Sequence, residues 1–304
     1  MLTHPQSCKP SDLDQTIKLI DDIFIKSRKK RISCFKRFPT LFNQTNFCNL
    51  RIIKGNNEVI SHVGIKYCHY RLNKKKTKIG MIGCVCTNPS YRGFELASLL
   101  MRDAEKQMSE KGTVLGVLWT GIPSFYKKLG WVPYENGVLG KMSKKQKITN
   151  KSYTICKIAS SELKHLNNLR IKGKNDYIIR KSIDLLSILK NTIPSSVEDR
   201  GILCAKSISK LEAYIAFGNL NKNFYIYEIG GGNDAVPLLI DSIFSLCKPK
   251  RIFWNCKKDD PMISYLKKYF NITFTEKGLT MWKIFDQKYK KELSNIYIPF
   301  LDRI

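Results

Sequence analysis

Residues 79–108 read IGMIGCVCTNPSYRGFELASLLMRDAEKQM. Ile79, Met81, Ile82 and Val85, with the small thiols of Cys84 and Cys86, make an apolar run of strand length that the turn residues Asn88, Pro89 and Ser90 close. Beyond Tyr91 the apolar spacing becomes helical, with Leu96, Leu99, Leu100, Ala104 and Met108 on one face, so a helix is predicted to start near residues 92–94. A strand feeding straight into a helix leaves several backbone N–H groups without partners and puts the positive end of the helix dipole at the same point. Phosphates bind at such points. Arg92 adds a permanent charge, and Gly93 lets backbone approach a ligand with no Cβ in the way. The stretch predicts a diphosphate site.

A second stretch, residues 119–131, reads WTGIPSFYKKLGW. It is a strand end, a short helix opened by Pro123 and carrying Tyr126, and a turn at Gly130. Together the two stretches resemble the Gcn5-related N-acetyltransferase (GNAT) superfamily. The run VCTNPSYRGFELASLLM, residues 85–101, is similar to its motif A, written Arg/Gln-x-x-Gly-x-Gly/Ala, which falls here on Arg92, Glu95 and Ala97. Glu95 departs from the pattern by standing where the family has Gly. A carboxylate there repels a diphosphate by about 1 kcal/mol if it points at the ligand, and favours the helix N-terminus if it faces water.

The rest of the composition narrows the class. With 304 residues the chain is long enough for two domains, and 43% apolar residues suit a folded core. No apolar run is long enough to cross a bilayer and the N-terminus lacks the layout of a secretory signal, so a cytoplasmic protein with no membrane partner is expected. The ten cysteines are dispersed, without a Cys-x-x-Cys, and read as reduced thiols. His4, His62, His69 and His165 form no ligand-like cluster, so no metal is expected. The net charge of +28 comes from short lysine and arginine runs at predicted turns and helix ends. Lysine is abundant alongside Asn, Ile, Phe and Tyr throughout, as an AT-rich coding sequence produces, and no specific nucleic-acid partner is inferred.

Along the chain, a strand near residues 2–4 and an amphipathic helix with Leu13, Ile17, Ile20 and Phe24 on one face come first. A short or broken helix is expected over 34–42, where Pro39 intervenes, then strands over 49–54 and 59–72 that lead into the 79–87 strand. A strand over 114–120, the Tyr126 helix and a closing hairpin over 131–141 complete the set, in the order that the resemblance implies. After a lysine- and serine-rich linker over 143–152 the layout repeats. Strands are read at 153–158, 202–205, 210–217, 224–229, 251–255, 272–275 and 280–285, and helices at 161–171, 177–189, 234–247 and 261–270. The expected fold is α/β (α+β): two tandem GNAT-like domains, residues 1–145 and 146–304, each a mixed, mostly antiparallel sheet flanked by helices. In the second, GGGNDA at 230–235 has no anchoring Arg and carries Asp234, so that half is expected to be degenerate for cofactor binding. The arrangement is similar to the Eis-like acetyltransferases, without room for their sterol-carrier-like domain.

The resemblance implies transfer of an acetyl group from acetyl-coenzyme A to an amine of a small molecule, peptide or protein. It places the pantetheine against Val85, Cys86 and Thr87, with the diphosphate on Arg92, Gly93, Phe94, Glu95, Leu96, Ala97 and Ser98. Thr120 and Ser124 line the channel, and Tyr126 protonates the leaving thiolate. The base is open between His62, His69, the terminal carboxylate of Ile304 and water. A route through an acetylated Cys84 or Cys86 needs a paired base that the sequence does not offer. The alternative is a non-catalytic coenzyme A-binding regulatory protein.

Overall fold

The computed structural model describes residues 1–304 apart from 31, 147, 149–151, 182–186, 188–198, 209 and 277. β1 (Gln6–Ser7) is followed by α1 (Leu13–Phe24), the single turn α2 (Cys34–Arg37), and the antiparallel run β2 (Leu50–Gly55), β3 (Glu58–Leu72) and β4 (Lys75–Thr87). Next come α3 (Leu96–Glu110), β5 (Leu115–Trp119), α4 (Pro123–Lys128), β6 (Val132–Pro133) and β7 (Gly137–Lys144). β8 (Thr154–Lys157), α5 (Leu163–Ile171), β9 (Tyr177–Ile179), β10 (Asp199–Lys206) and β11 (Leu211–Leu220) open the second half. It ends with β12 (Asn223–Gly231), α6 (Ala235–Cys247), β13 (Arg251–Lys257), α7 (Pro261–Leu266), β14 (Phe270–Glu276) and β15 (Thr280–Ile284). The hairpin tips at Asn56–Asn57 and Asn73–Lys74 carry positive φ at both residues, the geometry that suits the twist of paired strands.

Two mixed sheets result, as expected for a tandem arrangement. One runs β1-β2-β3-β4-β5-β15-β6, with β9 paired to β3; the other runs β14-β7-β13-β12-β11-β10-β8. The closing hairpin expected over 131–141 does not form. β7 crosses into the second sheet, pairing with β13 and β14, and β15 returns from the far end of the chain to lie between β5 and β6. Alternation along β7 fixes which side chains are buried, Val138 and Met142 among them, but any sheet offering a matching apolar face satisfies it. The helix expected over 177–189 begins instead as β9, and most of its remainder lies outside the described residues.

α3 covers one face of the first sheet. Leu96, Leu100, Met101, Ala104 and Met108 bury against Ile53, Val63, Ile65 and Ile82, while Leu99, expected on that face, is 46% exposed. α1 and α2 cover the other face with Leu19, Ile20 and Cys34. The second core, built by α6 against β10–β13, repeats this packing.

Candidate active site

β4 and β5 run parallel but pair only at Ile79–Leu115, Gly80–Gly116 and Met81–Val117. Beyond Met81 each strand is held on its outer side by a different neighbour. The end of β4 stays with β3, Thr87 opposite Ser61, whereas β5 is paired along its length with β15, and the Thr120 N–H donates to the Leu279 carbonyl at 2.8 Å. The two strands therefore diverge and leave inner backbone edges without a strand partner, the kind of edge to which an extended amide chain adds.

A bulge sits where they part. The β3–β4 register shifts between His62 and Gly64, and Cys84 adopts φ +53°. His62, wholly buried, fastens the bulge: its Nδ1 lies 2.8 Å from the Cys84 carbonyl, which only accepts, so Nδ1 carries the proton and Nε2 is the lone-pair nitrogen. Burial lowers the His62 pKa to about 4, partly countered by that hydrogen bond. His62 is thus neutral, a weak base, and shaped for holding backbone. His69 pairs with Ile179 on the β3–β9 seam, remote from the bulge. The Cys84 thiol hydrogen-bonds to Cys34 of α2, which with burial raises its pKa, and burial raises that of Cys86. Neither thiol of β4 is a ready nucleophile at neutral pH. The final residue reaches the same place: a Cβ on Gly83 would lie 3.0 Å from the carbonyl carbon of Ile304.

At the other end of the cleft the chain turns through Pro89–Tyr91 and enters α3 at Leu96. The first bond into the helix runs from Leu99 N–H to the Glu95 carbonyl, so the amides of Leu96, Ala97 and Ser98 have no intrahelical acceptor. Gly93 has φ +88° and open space where a Cβ would stand. Arg92, Gly93, Phe94 and Glu95 are all exposed, and Arg92 makes no ion pair among the described residues. An anion meets unpartnered donors and a free guanidinium here. Glu95 precedes the helix with φ +53°, a backbone region that favours glycine, and its side chain caps nothing. Glu95→Gly is expected to stabilise the fold by about 1 kcal/mol, read by chemical unfolding, and to tighten binding of a diphosphate probe about fivefold by removing the carboxylate.

The catalytic candidates converge on the parting. Tyr126 on α4 is buried, packs edge-on against Phe125 and Trp131, and shares a cluster with Val85. Burial raises its pKa to about 12 against a lowering hydrogen bond with Thr120, so it is a neutral phenol with a proton to give. Cys86 also lies within electrostatic reach of Tyr126. Thr120 is buried and hydrogen-bonds the Ile122 N–H at 3.0 Å, and Ser124 is exposed at the start of α4. Val85 and Thr87 are half-buried on the cleft strand, with Thr87 Oγ1 2.8 Å from Ser61 Oγ. Sequence reasoning missed what shapes this cleft: the pull of β15 on β5, the His62 anchor and the Cys34–Cys84 contact. All three depend on chain-distant pairing that a local pattern does not encode.

Residues 4–134 match the family model described as an acetyltransferase (GNAT) domain. This part of the chain, somewhat less than half of it, resembles a GNAT acetyltransferase domain. Among solved structures, a protein of unknown function from Enterococcus faecalis V583, titled a probable N-acyltransferase, shares the fold with TM-score 0.74 and 15% identity, over 93% of this chain and 73% of that one. A GCN5-related N-acetyltransferase from Anabaena variabilis matches with TM-score 0.72 and 15% identity, over 94% and 74%. Eis1 from Mycobacterium abscessus matches with TM-score 0.67 and 8% identity, over 96% and 76%. No functionally curated protein matches the sequence. The matched region ends ahead of β7, where the chain crosses into the second sheet. Among the described residues no helix is long and apolar enough to cross a membrane.

Proposed function

We propose that the chain transfers an acetyl group from acetyl-coenzyme A to an amine acceptor by direct attack, with catalysis in residues 1–145. The observation that carries this reading is the divergence of β4 and β5 beside the unpartnered amides that open α3. Val85, Cys86 and Thr87 present a free strand edge to the pantetheine amides. Arg92 and the Gly93–Ser98 backbone hold the diphosphate. Acetyl-coenzyme A supplies the activated thioester. Tyr126, held by Thr120, keeps the proton that the departing thiolate needs. The raised pKa of both β4 thiols favours direct attack over a cysteine-bound route. Residues 146–304 wall off the acceptor side, and their contact with the first sheet through β9 and β15 fixes the shape of that wall.

The test is thiol release from acetyl-coenzyme A in the presence of a panel of small, peptide and protein amines. Acceptor-dependent release that Arg92→Glu weakens through KM supports the reading. Stoichiometric binding of coenzyme A with no release for any amine would instead favour the regulatory, non-catalytic alternative.

A further inference from the structure

One face of the first sheet is only half covered. On β3 and β4 the register sets Tyr67, His69 and Arg71 on the same side as Gly80, Lys78 and Lys76. α3 lies over the near part of this face, burying Ile65 and Ile82. The helix ends at Glu110, and the sheet continues past it. β9 widens the uncovered part, placing Ile179 beside His69 and Tyr177 beside Arg71. Lys181 follows on that same side, because the intervening Arg180 is turned into the opposite, buried face, where it pairs with Glu228 and Asp302.

The uncovered part is basic. Arg71, Lys76 and Lys181 are exposed, and none makes a hydrogen bond or ion pair through its side chain among the described residues. Lys78 and Lys111 hold structure instead. Both stand over the Tyr67 ring, at 5.1 and 4.9 Å, while Lys78 Nζ donates to the Lys111 carbonyl and Lys111 Nζ to Asn49 Oδ1, each at 2.7 Å. No carboxylate offsets these charges on the three strands: the residues on this side include no acid, and Asp176, one residue before Tyr177 and so on the other side, accepts the Asn73 N–H. Burial and the charges of Lys76, Lys78 and Lys181 hold the His69 pKa below its ordinary value, so three lysines act on one neutral ring.

We infer that this face binds the backbone of a single-stranded nucleic acid, with no base preference. Positive charges recur about 7 Å apart along β4 and on strands about 5 Å apart, a row of sites for successive phosphates. Arg71, 6.0 Å from the Tyr177 ring, gives bases a guanidinium plane to stack on. A duplex hides its base faces and carries its second backbone about 12 Å away across the major groove, beyond a patch three strands wide. A protein partner would need an apolar anchor, but the rings here lie under cations and Ile179 is half-buried. The face lies about 23 Å along β3 from His62 at the usual rise per residue, and at the far end of the helix whose opening meets the diphosphate. Nucleic acid and coenzyme A therefore do not compete.

Anisotropy of a labelled single-stranded ribo-oligonucleotide of mixed sequence, titrated with the full chain at rising salt, tests this apart from turnover. Arg71→Glu, Lys76→Glu and Lys181→Glu together should weaken binding about tenfold or more and flatten the slope of log K against log salt by about 2, leaving acetyl transfer and the melting profile unchanged. Should that set melt early, Arg71→Gln, Lys76→Gln and Lys181→Gln are read instead, with the same change of slope expected. Lys18→Glu, Lys164→Glu and Lys250→Glu together, all exposed and off this face, should leave the slope unchanged. An equal loss in that second set means that overall charge binds the probe and overturns the proposal, as does an absence of binding. A duplex of the same sequence that binds as tightly, or displacement by poly-glutamate of equal charge, shows the ligand class to be wrong. Displacement by coenzyme A would put the probe in the cleft between β4 and β5 and refute this face as its site.

Discussion

Tyr126→Phe is expected to lower turnover about a hundredfold or more while leaving the dissociation constant of coenzyme A unchanged. The phenyl ring keeps the edge-on contacts with Phe125 and Trp131, and only the hydroxyl and its bond to Thr120 are lost. Stability should fall by about 1 kcal/mol, the net worth of one hydrogen bond. The pH dependence separates acid catalysis from packing. Burial raises the Tyr126 pKa to about 12, so the proton is present throughout the working range and is lost only as pH rises through that value. The variant should therefore match the wild type in the shape of its pH–rate profile between about pH 6 and pH 10 and differ only in height. An alkaline limb near pH 9 that vanishes in the variant would contradict the assignment, as would full turnover.

The largest effect on stability is expected at Arg180, whose side chain is 1% exposed and pairs with both Glu228 and Asp302. Arg180 follows β9, Glu228 belongs to β12, and Asp302 lies in the closing segment, so one guanidinium fastens three distant parts of the chain. Burial pushes both carboxylates up, but the Arg180 charge overrides it and holds both below the usual range. Arg180→Leu leaves two buried carboxylates without their paired charge and should cost about 3–5 kcal/mol, seen as a lower midpoint in urea. Replacing all three by apolar residues of similar volume should recover most of that loss. The sign of the pH effect follows from the depressed carboxylates. Their contribution is complete above the unfolded carboxylate pKa, about 4, and is lost as pH falls through the lower folded values. Wild type should lose stability in acid more steeply than the apolar triple variant. Equal slopes would argue that the network carries no linkage.

The first half was legible because its signals are local. The strand, turn and helix of residues 79–108 depend on period and turn chemistry, and both appear at Lys75–Thr87 and Leu96–Glu110. The broken helix near Pro39 follows from proline's missing N–H and is seen as the single turn Cys34–Arg37. The helix start was misplaced because Gly93 and Glu95 both take positive φ, and a glutamate gives no sequence sign of that conformation. The partner of each strand was not legible. β7 and β15 have ordinary strand patterns, and nothing in either says that it belongs to the sheet of the other half. The diphosphate end of the site was therefore readable, while the cause of its open cleft, a strand more than 150 residues away, was not.

The exchange of β7 and β15 also sets an order of events during synthesis. While the ribosome is still working through the second half, β5 has no neighbour on its outer side and exposes Val117 and Leu118, both buried in the finished sheet. Residues 280–284 must emerge before that gap is filled, so the outer edge of β5 waits unpaired for a strand made near the far end of the chain, and the two halves mature together.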